Sequence, residues 1–188
     1  MKFRTDFVTN SSSSSFIAIK VITGDGTFCK ELENPASGVI PGNGGYFDIT
    51  RAELDGATDL RQILEKMCRW FYDTIEDPQC WDEAEPSWAN DEDYDGEPQL
   101  NWEDCKHILK SYSYDNDEEI LSVKLDDVKS ICIFSRMEYW DDPYGARLIE
   151  YDRTTKQMKV TDQTYLDADE DSERDSYGMW LYDRFEEL

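Results

Sequence analysis

Val128-Lys129-Ser130-Ile131-Cys132-Ile133-Phe134-Ser135-Arg136-Met137-Glu138-Tyr139 is the stretch that decides the architecture. Its centre, Ile131-Cys132-Ile133-Phe134, is apolar at four successive positions. Side chains of an extended strand alternate between two faces, so this run predicts a strand buried on both. Upstream, Phe16 opens a second apolar run through Ile17, Ala18, Ile19, Lys20, Val21 and Ile22, rich in β-branched residues and stopped by Gly24-Asp25-Gly26. Downstream, Ala146–Asp152 and Gln157–Thr161 predict a hairpin turning at Arg153–Lys156. Glu119–Lys124 suggests a further strand, and Gly45–Ile49 a short one.

Helical spacing fills the gaps between these strands. Thr50 and Glu53 fit a capping box, and Asp59 stands where a second cap is needed. Beyond it Leu60, Ile63, Leu64, Met67, Cys68, Phe71 and Ile75 recur at the helical period, with Pro78 just past the end. Asn101 caps a predicted helix with Trp102, Cys105, Ile108, Leu109 and Tyr112 on one side. Tyr177, Trp180, Leu181, Phe185 and Leu188 give a terminal amphipathic helix. The expected fold is α+β: one domain over residues 16–188, an antiparallel-rich sheet, about three helices and no internal repeat. Residues 1–15 form a polar, serine-rich arm, residues 33–45 a Pro- and Gly-rich loop, and residues 76–99 a long acidic loop with three prolines.

Charge is the other dominant feature. The 188-residue chain carries a formal net charge of -24, yet 13 % of it is aromatic, which separates it from acidic disordered chains. More than half of that charge lies between residues 70 and 105, where thirteen Asp or Glu stand with no Lys or Arg. The same window carries Trp70, Phe71, Tyr72, Trp81, Trp88, Tyr94 and Trp102. Phosphate binding needs clustered bases, so direct contact with nucleic acid or an anionic membrane is excluded by sign. A basic protein surface is the matching partner. The candidate contact residues are Asp77, Trp81, Asp82, Glu83, Glu85, Trp88, Asp91, Glu92, Asp93, Tyr94, Asp95 and Glu97. Against this stands the plainer reading of a solvated acidic loop that is partly anchored by its aromatics.

Motifs for chemistry are weak. Asp91-Glu92-Asp93-Tyr94-Asp95-Gly96 matches the first half of an EF-hand loop, but the twelfth position is Trp102 rather than Glu, and Pro98 interrupts it. The acid pairs Asp126-Asp127 and Asp141-Asp142 are expected by chance among 43 acids. His107, the single histidine, sits two residues from Cys105, so a helix points the two to different faces; spatial proximity to Cys29, Cys68 or Cys80 stays open. The five cysteines, Cys29, Cys68, Cys80, Cys105 and Cys132, include no C-x-x-C pair. Cys68, Cys105 and Cys132 lie in apolar patterns and read as buried thiols of a cytoplasmic protein. No metal, cofactor or catalytic residue is expected.

One stretch resembles known sequences. Lys2-Phe3-Arg4-Thr5-Asp6-Phe7-Val8-Thr9-Asn10, followed by Ser11–Ser15, Phe16 and Ile17, resembles the opening of uncharacterised proteins from clostridia, related Firmicutes and their mobile elements. The resemblance implies a bacterial or phage setting and brings no catalytic residue. The expectation is a non-catalytic acidic binding protein that mimics nucleic acid against a basic DNA- or RNA-binding protein. Its likeness to phage anti-restriction and anti-CRISPR proteins is compositional. The alternative is an interaction domain whose serine-rich arm is a recognition or modification tag. An enzyme is the third reading.

Overall fold

The computed structural model describes residues 16–33, 46–73, 100–113, 119–137, 145–164 and 181–188. They form a five-stranded antiparallel sheet with helices on both faces, as the α+β reading anticipated. The strands are β1 (Phe16–Thr23), β2 (Thr27–Glu33), β3 (Val128–Met137), β4 (Gly145–Asp152) and β5 (Gln157–Thr164), in the spatial order β2-β1-β3-β4-β5. The helices are α1 (Arg51–Gly56), α2 (Leu60–Asp73), α3 (Trp102–Ser111), the single turn α4 (Glu119–Ser122) and α5 (181–187), with a 3-10 turn at Leu125–Asp127. Among the described residues no helix is long and apolar enough to cross a membrane.

β3 stands at the centre, with apolar side chains that need cover on both faces. It pairs with β1 through Ile19↔Ile133 and with β4 through Ile133↔Ile149. Period two then divides the core. Ile17, Ile19, Val21, Ile131, Ile133, Ile149 and Tyr151 join one cluster with α1–α4, while Phe16, Ala18, Cys132, Phe134, Ala146 and Leu148 join another with Leu181 and Phe185 of α5. Phe134 meets Tyr182 edge-on, with ring centres 5.4 Å apart.

α2 closes the larger core with Leu60, Ile63, Leu64, Met67, Cys68 and Phe71, all buried. This is the stripe that its sequence period marks; Ile75 lies outside the described residues. Asp59 starts the helix, its Oδ1 accepting from Arg61 N at 3.0 Å. The Thr50–Glu53 box at α1 is formed in both directions: Thr50 N donates to Glu53 Oε2 at 2.7 Å, and Glu53 N to Thr50 Oγ1 at 3.2 Å.

The smaller face uses charge. Lys20 is 3 % exposed and points toward α5, where its ammonium donates to the carbonyls of Phe185 and, at 2.8 Å, of Glu186. A cation at the carbonyl end of a helix satisfies orphan acceptors and opposes the negative end of the dipole. Arg184 returns two bonds to Glu150 of β4, each 2.9 Å. Leu188, expected on the apolar face of this helix, is instead 40 % exposed, because the helical turns end one residue before it. Tyr177 and Trp180 lie outside the described residues.

Two expected strands are corrected. Of Glu119–Lys124, Glu119–Ser122 is a helical turn, held by Ser122 Oγ donating to Glu119 O at 2.7 Å and by Val123 N to Ile120 O at 3.3 Å, and no part of it is a strand. It packs against β2 instead of joining a ladder, with Ile120 buried. Of Gly45–Ile49, residues 46–49 are described and do alternate, Phe47 and Ile49 buried and Asp48 exposed, yet they have no ladder partner among the described residues. Side chains hold them instead. Tyr46 donates to Gln163 O at 3.3 Å, carries the Arg147 guanidinium 5.0 Å from its ring centre, and fills the space where a Cβ on Gly145 would lie. β2 had no sequence signal, because Lys30 interrupts the apolar alternation between Phe28 and Leu32. The hairpin turn holds, with Asp152 Oδ1 accepting from Thr154 N and Thr155 N, both at 2.8 Å, and Lys156 in the left-handed region at φ 58°. The serine-rich arm and residues 34–45 lie outside the described residues.

Two stability tests follow. Leu64→Ala and Phe71→Ala should each lower unfolding free energy by about 2–5 kcal/mol in a denaturant titration. A negligible change for both would mean that the stripe packs elsewhere. Glu53 is the pH-sensitive contact: hydrogen bonds from Lys66 and Thr50 hold its carboxyl down to about 2. A depressed acid stabilises above its unfolded pKa and loses that contribution as pH falls through the folded value. Glu53→Gln should therefore cost about 1 kcal/mol at pH 7, discounted for exposure, with the gap from the native chain closing between pH 5 and 2. A gap that stays constant across that range would remove the charge from the contact.

Candidate functional site

The site expected from the sequence is the acidic window, and every proposed contact residue falls in its unplaced part. Asp77, Trp81, Asp82, Glu83, Glu85, Trp88, Asp91, Glu92, Asp93, Tyr94, Asp95 and Glu97 all lie outside the described residues, as do the EF-hand-like run and Cys80. What the structure fixes is the frame on either side. α2 ends at Asp73, and the chain is described again from Leu100, which is buried. Asn101 then caps α3, its Oδ1 accepting from Glu103 N at 2.8 Å and Asp104 N at 3.1 Å, while Asp104 Oδ2 accepts from Asn101 N at 2.9 Å.

Contacts between α2 and α3 rise together along both helices. Arg61 lies over Trp102, Cys68 meets Cys105, and Phe71 meets Tyr112. The helices therefore run in the same sense, and Asp73 and Trp102 are at opposite ends of the pair. Ten helical residues between Arg61 and Phe71 put those ends about 15 Å apart.

Aromatics at the two borders of the window belong to the fold. Phe71 is fully buried, with its ring centre 5.3 Å from that of Tyr112. Trp70 sets its ring edge-on to Phe47 at 6.1 Å and 87°. Trp102 lies beneath the Arg61 guanidinium, 5.0 Å from its ring centre. Tyr72 packs against the same core. The plain reading, in which aromatics anchor the window, therefore describes its borders.

Eight of the described bases have carboxylate partners. Arg51 and Lys156 pair with Asp55, Lys66 with Glu53, Arg61 with Glu65, Lys106 with Glu103, Arg147 with Asp162, and Arg184 and Lys159 with Glu150. These contacts, together with burial, move the pKa values of several groups away from neutral pH. Hydrogen bonds from Tyr151 and Lys156 lower Asp55, and the bond from Arg147 lowers Asp162. Burial and the bond to Asp55 raise Tyr151. Burial, with Glu31 nearby, raises Tyr182 strongly. Burial beside Glu150 pushes Cys132 up to about 11. A general acid or base works best near the operating pH, and these groups are displaced the other way.

Cys105 is displaced downward, by the hydrogen bond from Cys68, while burial raises Cys68. The sequence marks both as buried thiols but does not pair them; their shared signal is a place on the facing stripes of successive helices. His107 is exposed, its Nε2 3.5 Å from Ser111 Oγ, and so faces away from buried Cys105 as the helical spacing requires. Asp126 and Asp127 are exposed in a 3-10 turn, and Asp141-Asp142 lies outside the described residues. No group of His, Cys, Asp and Glu among the described residues could hold a metal ion.

If Trp70 and Trp102 are structural, Trp70→Ala and Trp102→Ala should each destabilise the fold by about 1–3 kcal/mol. Unchanged unfolding midpoints would instead free those rings for a partner. No family model matches the chain, and no curated protein or solved structure matches it.

Proposed function

We propose that this chain is a non-catalytic binding protein that presents its acidic window to a basic protein groove in place of nucleic acid. The observation that carries the reading is the run of thirteen carboxylates without a base between residues 70 and 105. Carboxylates on such a run occupy the positions of phosphates against Lys and Arg, and interleaved Trp and Tyr stack on guanidinium planes. The fold supports it by giving the window a fixed frame: a core helix before it and a boxed helix start after it. The partner is a nucleic-acid-binding enzyme, in the manner of phage anti-restriction and anti-CRISPR proteins. The chain touches neither nucleic acid nor membrane itself. Its place is the cytoplasm, where buried thiols such as those of Cys68, Cys105 and Cys132 stay reduced.

A titration against a CRISPR effector nuclease tests this. Inhibition should saturate near one equivalent, weaken as salt rises and be relieved by excess guide or target nucleic acid. Replacing Asp91, Glu92, Asp93 and Asp95 together by Lys should slow association by about 10–100-fold. Binding that ignores this charge reversal at low salt would take the window out of the interface. Full inhibition at far below one equivalent, abolished by His107→Ala, would replace the mimic by an enzyme.

A further inference from the structure

Cys68 and Cys105 meet inside the α2–α3 contact. Neither has any solvent exposure. Cys68 Sγ is 3.7 Å from the carbonyl oxygen of Cys105, to which it donates, so the two residues are in contact across the helix pair. A contact between two cysteines on neighbouring helices is a place where a disulfide can form. We propose that Cys68 and Cys105 are a redox-modified pair, which a small peroxide joins into a disulfide tying α2 to α3.

The two thiols differ in the way the reaction needs. The bond from Cys68 favours thiolate on Cys105, whereas burial keeps Cys68 protonated. Thiolate is the nucleophile toward peroxide. The Cys105 thiolate attacks one oxygen of hydrogen peroxide, the O–O bond breaks, and Cys105 becomes a sulfenic acid while hydroxide leaves and takes a proton to form water. Cys68 sulfur then attacks the sulfenic sulfur, the S–O bond breaks, and the departing hydroxide takes the Cys68 proton. In sum two thiols and one peroxide give one disulfide and two waters. The thiols lose two electrons and the peroxide gains them. A dithiol reductant reverses the change.

The position of the link gives it a consequence. A Cys68–Cys105 bond closes a covalent ring that contains all thirteen acids of the window. It would fasten the frame on both sides of that segment at a point held now by packing and one weak hydrogen bond. Transient, oxidant-driven disulfides are the form in which such bonds occur in reducing compartments. The inference goes beyond the binding reading and does not need a partner to be tested.

The native full-length chain is treated with hydrogen peroxide, denatured, alkylated and cut with trypsin and chymotrypsin. Tryptic sites flank Cys68 at Lys66 and Arg69, and chymotryptic sites at Trp81, Trp88 and Tyr94 separate Cys80 from Cys105. The fragments carrying Cys68 and Cys105 should appear joined, two hydrogens lighter than their sum, and should part with dithiothreitol. The oxidised chain should melt about 10 °C higher than the reduced one, a rise absent from Cys68→Ala. Both fragments recovered alkylated and unlinked would overturn the proposal. So would a link from Cys68 to Cys29, Cys80 or Cys132, or over-oxidation of Cys105 without a link.

Discussion

Cover on both faces of β3 is the constraint on which the other contacts depend. Ile131 and Ile133 need a layer on one side, Cys132 and Phe134 a layer on the other. One layer is the group α1–α4 inserted between β2 and β3; the second is α5, from the far end of the chain. Remove either and a central strand exposes a row of apolar side chains. The layers are held differently. α1–α4 rely on area, with Phe71, Leu64 and Met67 fully buried, whereas α5 is small and adds charge to its two apolar anchors. Lys20 ties its carbonyl end to β1, and Arg184 ties its flank to Glu150 of β4.

Residues whose side chains repeat at one period were legible in the sequence. Ile131–Phe134 carries apolar residues at every position, and α2 carries its stripe over four turns, so each reads unambiguously. Caps were legible for a local reason: Thr50–Glu53 and Asn101 act within three residues of themselves. The failures were where a tertiary partner decides. Phe47 and Ile49 alternate as a strand would, but no neighbour offers a ladder. Ile120 is buried by a helical turn that its sequence pattern resembles less than a strand. β2 is an edge strand whose middle residue is a buried lysine, and only the pairing Ile19↔Lys30 makes sense of it. At the candidate site the sequence told borders and centre apart poorly: Trp70 and Trp102 look like Trp81 and Trp88 until Phe47 and Arg61 are seen beside the first pair.

Electrostatics divides the molecule in the same way. Eight bases of the described domain are matched to carboxylates, some four residues away or across one strand pair, as with Arg61–Glu65 and Arg147–Asp162. Exposed pairs of that kind contribute little each. They matter more by leaving the excess negative charge to the window and the C-terminal segment, whose residues 162–188 hold ten acids and two bases. A field concentrated in that manner reaches furthest at low ionic strength and is weakened by salt.

The order of the strands also has a consequence for synthesis on the ribosome. β1 is made first, but its inner neighbour β3 is 114 residues later, as Ile19 and Ile133 are paired. The β1–β2 hairpin therefore leaves the exit tunnel long before either its partner strand or its second cover exists. A two-stranded ribbon is marginal alone. Pairings so distant in sequence are slow to form and leave apolar strands open meanwhile. In that interval the nascent chain has already added the thirteen carboxylates of residues 70–105. Like charges at that density repel, and net charge far from zero opposes association between chains while it costs the compact state stability.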